Sequence, residues 1–334
     1  MTVPVSSWMT DELAIYRDNV ARFVATEMAP MDTLWRSLHH VGREIWRRAG
    51  DLGLLCADIP AEYGGAAGDF RHEVVLYEEL ARRGLSGFGQ GVHSIAAHYL
   101  LNHGTERQKR QYLPRLASGE LIGAIAMTEP AAGSDLRGIR TRAQRTGDHY
   151  VVNGSKIFIT NGYLAGLVLL VVKTDPEPGS KGISILIVET ADLAGYRVGD
   201  FLDKLGQKAQ DTTELFFDDM RVPAENVLDG EEGRGQRIDV SLLASTLAAL
   251  VNQAQNAFAT GEHEPLAREH AVLELLRHVV ERAALRGMSV DGRPLPCHPR
   301  RDVELDAVRV VRRALRVEAD PPSRARPVGR RHKL

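Results

Sequence analysis

Two short blocks of this chain carry residues suited to holding a ligand. The first is Ala126-Met127-Thr128-Glu129-Pro130-Ala131-Ala132-Gly133-Ser134-Asp135. The second is Asn153-Gly154-Ser155-Lys156-Ile157-Phe158-Ile159-Thr160-Asn161-Gly162. Small residues at Ala131, Ala132 and Gly133 let backbone come close to a ligand, so that free N–H groups can face phosphate or ring oxygens. Thr128 and Ser134 add hydroxyls, and Pro130 stiffens the turn. The second block is a β-type run that ends in an aromatic, an aliphatic and a threonine. Together they suit a flat, polar-edged, phosphate-bearing molecule. Composition alone favours an ordinary domain-crossing loop; it is the order of residues that reverses this. Glu120, Glu129 and Asp135 are possible acid–base groups, but Glu129 follows the loop threonine and is expected to bond locally. His93, His98 and His103 are spaced by five, which is not a clean helical pair, so no metal is expected.

The elements that must position these blocks change character along the chain. Residues 1–121 read as helical. Leu13, Val20, Phe23, Val24 and Met28 recur at helical spacing after Thr10, a residue able to cap the helix, with Asp11 and Glu12 favourable in its first turn. Ile45, Trp46, Ala49 and Leu52 form a second stripe. Ile59–Gly65 is a breaker cluster and therefore a loop. Helices are expected over residues 71–83 and 90–102, and a shorter one opens at Gly104-Thr105-Glu106 and ends near Pro114 or Gly119. From about Ile122 the runs are short and β-type: Tyr150–Val152, Ile157–Thr160, Leu167–Val172, Ile183–Val188 and Leu215–Phe217. Turn residues separate them, which predicts a compact antiparallel sheet domain over 122–232. The fold class is thus α+β, a helical domain and then an antiparallel β domain, ending at the glycine-rich stretch Asp229–Gly233.

Composition sets outer bounds. The chain has 334 residues, is 43% hydrophobic and 26% charged, and carries a net charge of −2, so no bulk attraction to nucleic acid is implied. The total hides an asymmetry, because residues 264–334 hold 15 Arg, 1 Lys and 10 acids. Two distant cysteines, Cys56 and Cys297, are too few for a disulfide framework or a zinc site. The start of the chain does not read as a signal peptide, and the aliphatic run Leu164–Val172 is too short to span a bilayer. The expected setting is the cytoplasm, away from membranes.

The order Thr-Glu-Pro-x-Ala-Gly-Ser-Asp resembles a signature of the acyl-CoA dehydrogenases. Tyr63-Gly64-Gly65, Gly104–Lys109, Tyr112-Leu113-Pro114 and Leu116–Glu120 resemble further segments of that family. Asn153–Lys156 with Ile159-Thr160-Asn161 resembles its second signature. Lys204-Leu205-Gly206, Leu215–Asp218, Val222-Pro223 and Asn226–Leu228 resemble the end of its β domain. The resemblance covers residues from about 10 to 235 in order. It implies FAD as cofactor and an acyl-CoA thioester as substrate, in fatty acid metabolism. It implies that Met127 and Thr128 face the pyrimidine end of the isoalloxazine, and that Gly133 and Ser134 lie near the pyrophosphate. The resemblance also implies that Ser134 reaches toward the acyl-CoA. Phe158 would cover one flavin face, with Ile159 beside it, and Thr160 would bond near flavin N5. Family members are usually homo-oligomers; no residue indicates the electron acceptor.

The same resemblance implies parts that residues 236–334 do not supply. No Arg-x-x-Phe-Gly segment occurs there, and no motif places Glu264, Glu269, Glu274 or Glu281 as the family's glutamate base, so no catalytic residue is assigned. The family's C-terminal helical bundle is expected to be missing or replaced. Residues 233–262 resemble a segment of the class III CoA-transferases without that family's aspartate nucleophile. Residues 263–334 form an arginine-rich tail expected to be poorly ordered. The chain therefore reads as a truncated or chimeric flavoprotein with impaired dehydrogenation. The alternative is a non-catalytic fusion product acting at most in binding.

Overall fold

The computed structural model describes residues 9–133, 136–174 and 182–228, together with two short strands, Ser289–Val290 and Arg293–Pro294. Ser134 and the CoA-transferase-like segment 233–262 lie outside the described residues. So does the tail, those two strands apart. Chain contacts divide the protein into units 1–247 and 248–334, and the first holds everything that follows. Among the described residues, no helix is long and apolar enough to cross a membrane.

The helical part begins where its cap predicts. Thr10 Oγ1 accepts from Leu13 N at 3.2 Å, opening α1 (Asp11–Phe23). The chain continues through a wider turn to Met28, and Leu13, Val20, Phe23, Val24 and Met28 are all buried. Helices α2 (Asp32–Leu38) and α3 (Arg43–Asp51) follow. Helix α3 buries Ile45, Trp46 and Ala49, but Leu52, expected on the same stripe, caps the helix and is exposed. Helix α4 (Phe70–Arg82) starts in a reciprocal cap between Asp69 and His72, and α5 is Gln90–His103. Thr105 and Gln108 cap one another reciprocally at the start of α6 (Glu106–Ala117), which carries Pro114 within it and stops just before Gly119, at φ 69°.

Seven strands form one sheet: β1 (Gly123–Ala126), β2 (Arg142–Thr146), β3 (His149–Thr160), β4 (Leu167–Lys173), β5 (Ile183–Glu189), β6 (Tyr196–Phe201) and β7 (Thr212–Pro223). Their order is β1-β4-β2-β3-β7-β6, with β5 also on β4. The pairs β2–β3, β3–β7, β4–β5 and β6–β7 are antiparallel, as the turn spacing predicts. Strand β1 runs parallel to β4, and β2 touches β4 in parallel at Arg142–Lys173.

Strand β4 explains how the two parts join. It is apolar from Leu167 to Val172, and both its faces are buried. Successive side chains point to opposite faces. Leu167, Leu169 and Val171 share a core with Tyr99 and Leu100 of α5 and with Leu113 and Leu116 of α6. Val168, Leu170 and Val172 instead meet Tyr150, Val152, Leu215 and Phe217 of β3 and β7. Ile183, Ile185 and Ile187 of β5 repeat the helix-facing pattern. A continuous hydrophobic run, rather than an alternating one, is what a strand between two cores requires.

Candidate functional site

The two ligand-suited blocks are brought side by side. Ile157 N donates to Thr128 O at 2.9 Å, and Lys156 Nζ donates to Met127 O at 2.9 Å. The first block then turns tightly. Glu129 and Ala132 exchange backbone hydrogen bonds, Glu129 N to Ala132 O at 2.8 Å and Ala132 N to Glu129 O at 3.0 Å, across Pro130-Ala131. Gly133 follows and is exposed; a Cβ added there would meet nothing within 4 Å, so its backbone is open to close approach. Met127 and Thr128 are half-buried.

The second block is shaped by a break in register. The β3–β7 pairing shifts between Lys156 and Ile159, the signature of an extra residue that re-aims side chains. Phe158 sits in this break at φ 61°, a left-handed conformation uncommon for a bulky residue, and 64% of it is exposed. Thr160 is half-buried. Ile159, between them, is turned into the β-domain core at 2% exposure. The register break turns the Ile159 side chain into the interior and leaves its backbone as the part that can meet a ligand.

Glu129 bonds locally, as its sequence position suggests. Its Oε1 accepts from Lys156 Nζ at 2.8 Å and from Thr141 N at 3.0 Å, and its Oε2 accepts from Arg140 N at 2.6 Å. Burial alone would raise this carboxyl, but bonds from Lys156, Thr141 and Arg140 more than offset that and hold it below its usual range. Lys156 is fully buried, and desolvation pushes its ammonium down to about 8 against the pull of Glu129. Sequence reasoning placed Lys156 in a signature without giving it a role. A lysine in the middle of a β-run is the signal that could have found it.

Asn161 closes the arrangement onto the helices. At φ 62°, its Nδ2 donates to Gly89 O at 2.9 Å and to Gly123 O at 3.0 Å. The next turn is held by Asp211, whose carboxylate accepts from Tyr163 N and Leu164 N at 3.1 and 2.8 Å. Burial pushes Asp211 up to about 6. Each of the three histidines has a structural partner. The Nδ1 of His93 accepts from Gly123 N at 3.0 Å and its Nε2 faces Leu116 O at 3.1 Å, while burial drives the ring down to about 4. His98 pairs with Asp58, and the ring of His103 lies against Tyr99.

A helical domain packed on one face of a mixed sheet that carries a register break and a small-residue turn defines an α+β scaffold. The description "Acyl-CoA dehydrogenase, N-terminal domain" matches residues 10–120, and "Acyl-CoA dehydrogenase, middle domain" matches residues 124–220. The chain belongs to the acyl-CoA dehydrogenase family. It is 45% identical over 229 residues to the mouse long-chain specific acyl-CoA dehydrogenase, mitochondrial, an overlap covering 68% of this chain and 53% of that protein. The crystal structure of acyl-CoA dehydrogenase from Geobacillus kaustophilus superposes with a TM-score of 0.70 at 34% identity, covering 94% of this chain and 78% of that one. That of acyl-CoA dehydrogenase complexed with FAD from Bacillus anthracis gives 0.66 at 29% identity, covering 87% and 48%. The chain spans about half the length of the curated relatives it matches.

Proposed function

We propose that the β domain binds FAD on the face formed by Met127–Gly133 and Phe158–Thr160, and that the chain belongs to a machine oxidising an acyl-CoA thioester at its α,β bond. The observation that carries this reading is the docking of Met127-Thr128 against the Phe158 register break. It brings the small-residue turn and Thr128 beside the strand that carries exposed Phe158 and half-buried Thr160. The residues fit the cofactor: Phe158 offers a ring face, Thr128 and Thr160 offer donors, and Gly133 offers unobstructed backbone for a pyrophosphate. Ser134, beside Gly133 in sequence, is proposed to share the pyrophosphate and the acyl-CoA. When bound, FAD supplies the acceptor for the substrate hydride. The chain's own residues bind and orient it, and the core between β4 and the helices keeps water from the buried side of this face.

Removal of the α-proton needs a positioned base. Such a base is worth roughly 10²–10⁴ in rate, or about 3–5 kcal/mol of barrier. No family motif in residues 236–334 supplies one, so dehydrogenation by this chain is proposed to be impaired. The experiment is an absorbance spectrum of the purified chain, followed by reduction of an artificial electron acceptor with acyl-CoAs of graded length. Bound flavin with slow or absent turnover is the expected result. Turnover at an ordinary dehydrogenase rate would refute the impairment. A colourless protein that takes up no FAD would refute the flavin reading and favour a non-catalytic binding protein.

A further inference from the structure

Beneath the proposed flavin face lies a buried ion pair with no evident need to be there. Lys156 is fully buried, Glu129 is 6% exposed, and the ammonium touches Glu129 Oε1 and the Met127 carbonyl at 2.8 and 2.9 Å. Such pairs are weak devices for stability, since desolvation of two charges offsets much of their attraction and an apolar pair often serves as well. The geometry offers a different reason. A peptide unit is planar and trans, so holding the Met127 carbonyl toward Nζ turns the Thr128 N–H to the opposite side. The next carbonyl, Thr128 O, is held by Ile157 N. One ammonium and one strand N–H therefore set two successive peptide planes just before the turn at Pro130. Glu129 anchors the far end by accepting from Arg140 N and Thr141 N.

We propose that Lys156 and Glu129 are a positioning pair that presets the Met127–Thr128 peptide for the edge of the flavin ring. This rests on the FAD reading above. Neither side chain needs to touch the cofactor, because both act through the Met127–Thr128 segment. Lys156 is the member with a direct hold on a peptide carbonyl, so the nature of its donor matters more than its charge.

The full chain is compared with Lys156→Gln, which keeps an N–H donor but loses the charge, and with Lys156→Met, which loses both. FAD affinity is read by fluorescence titration, the bound flavin by its visible spectrum, and the fold by thermal melting without FAD. Lys156→Met should weaken FAD binding by roughly 10–100-fold, the range for one charge-assisted hydrogen bond, and shift the flavin bands. Lys156→Gln should stay within about 5-fold with a near-normal spectrum. Wild-type affinity and spectrum in Lys156→Met would overturn the proposal. So would equal losses in Gln and Met that track their melting, which would mark the pair as a mere stabiliser. If Lys156→Met does not fold, Glu129→Gln decides: its amide cannot hold the ammonium as a carboxylate does, and an unchanged flavin spectrum there would overturn the assignment. A wild-type chain that takes up no FAD overturns the flavin reading itself and this inference with it.

Discussion

Glu73 should make this fold less stable as pH rises, and the structure sets the size of the effect. The residue lies on α4 at 3% exposure, with Ser94 Oγ donating to its Oε1 at 3.1 Å. Cys56 from the loop, His98 from α5, Tyr77 from α4 and Tyr16 from α1 all feel its charge. Burial, with the Asp58 carboxylate as a second cause, pushes Glu73 up from 4.5 to about 7. Between those values the folded chain keeps a proton that the unfolded chain has released. Stability therefore falls as pH rises from about 4.5 and levels off above about 7, and the full loss is roughly 3 kcal/mol. Glu73→Gln keeps the shape and the oxygen that accepts from Ser94 but removes the charge. The variant should match the wild type near pH 4.5 and exceed it by about 2–3 kcal/mol at pH 8. His98 is also shifted, upward from its ordinary value. Its hydrogen bond to Asp58 is the largest cause and occurs in both proteins, so that part of its contribution, lost as pH rises, cancels in their difference; the smaller part due to the Glu73 charge is absent from the variant. Urea unfolding followed by tryptophan fluorescence, which Trp35 and Trp46 of this same core report, should separate the midpoints by about 1 M at pH 8. A difference between the two proteins that does not change with pH, or a variant less stable at every pH, would refute the desolvation argument.

Three further outcomes follow from the same geometry. Phe158→Ala removes an exposed side chain, so thermal melting without ligand should stay within about 0.5 kcal/mol of the wild type while FAD affinity drops about 10-fold by fluorescence titration. Asn161→Ala removes the side-chain donor that the carbonyls of Gly89 and Gly123 share in a buried site, and urea unfolding should show a loss of about 2–4 kcal/mol. Gly154→Ala would place a Cβ 2.6–2.8 Å from Thr141 at φ 148°, and the same assay should show a loss of at least about 2 kcal/mol.

Much of the helical half was legible because local chemistry and burial agree there. Thr10 caps α1 and the periodic residues behind it are buried. The apolar runs of β4 and β5 were equally plain. Strands β1, β2 and β6 were not, because Gly-Ala-Ile-Ala is too short and small, Arg-Ala-Gln-Arg-Thr too charged and Tyr-Arg-Val-Gly-Asp-Phe too mixed to show a period of two. Their pairing comes from neighbours, which is also why the parallel β1–β4 contact left no trace in the turn spacing. At the site, the blocks were legible as a family signature, but which way each side chain points was not. Ile159 faces inward and Phe158 outward because a register break falls between Lys156 and Ile159, and that break depends on the facing strand β7.

Phe158 is where the proposed flavin would have the most to recover. Its left-handed backbone costs a non-glycine residue about 1–2 kcal/mol. Leaving 64% of an aromatic exposed forfeits part of the roughly 1.5–3 kcal/mol that full burial would contribute. The fold itself recovers neither cost at this position. Such outliers persist where the surroundings over-determine them, and here they are over-determined from below, by Lys156 and Glu129 on one side and by Asn161 and Asp211 on the other. A flat ring laid on Phe158 would recover the exposure term. A polar edge turned toward Thr128 and Thr160 would use the donors left beside it. Under the flavin reading proposed above, the cofactor would cover this surface.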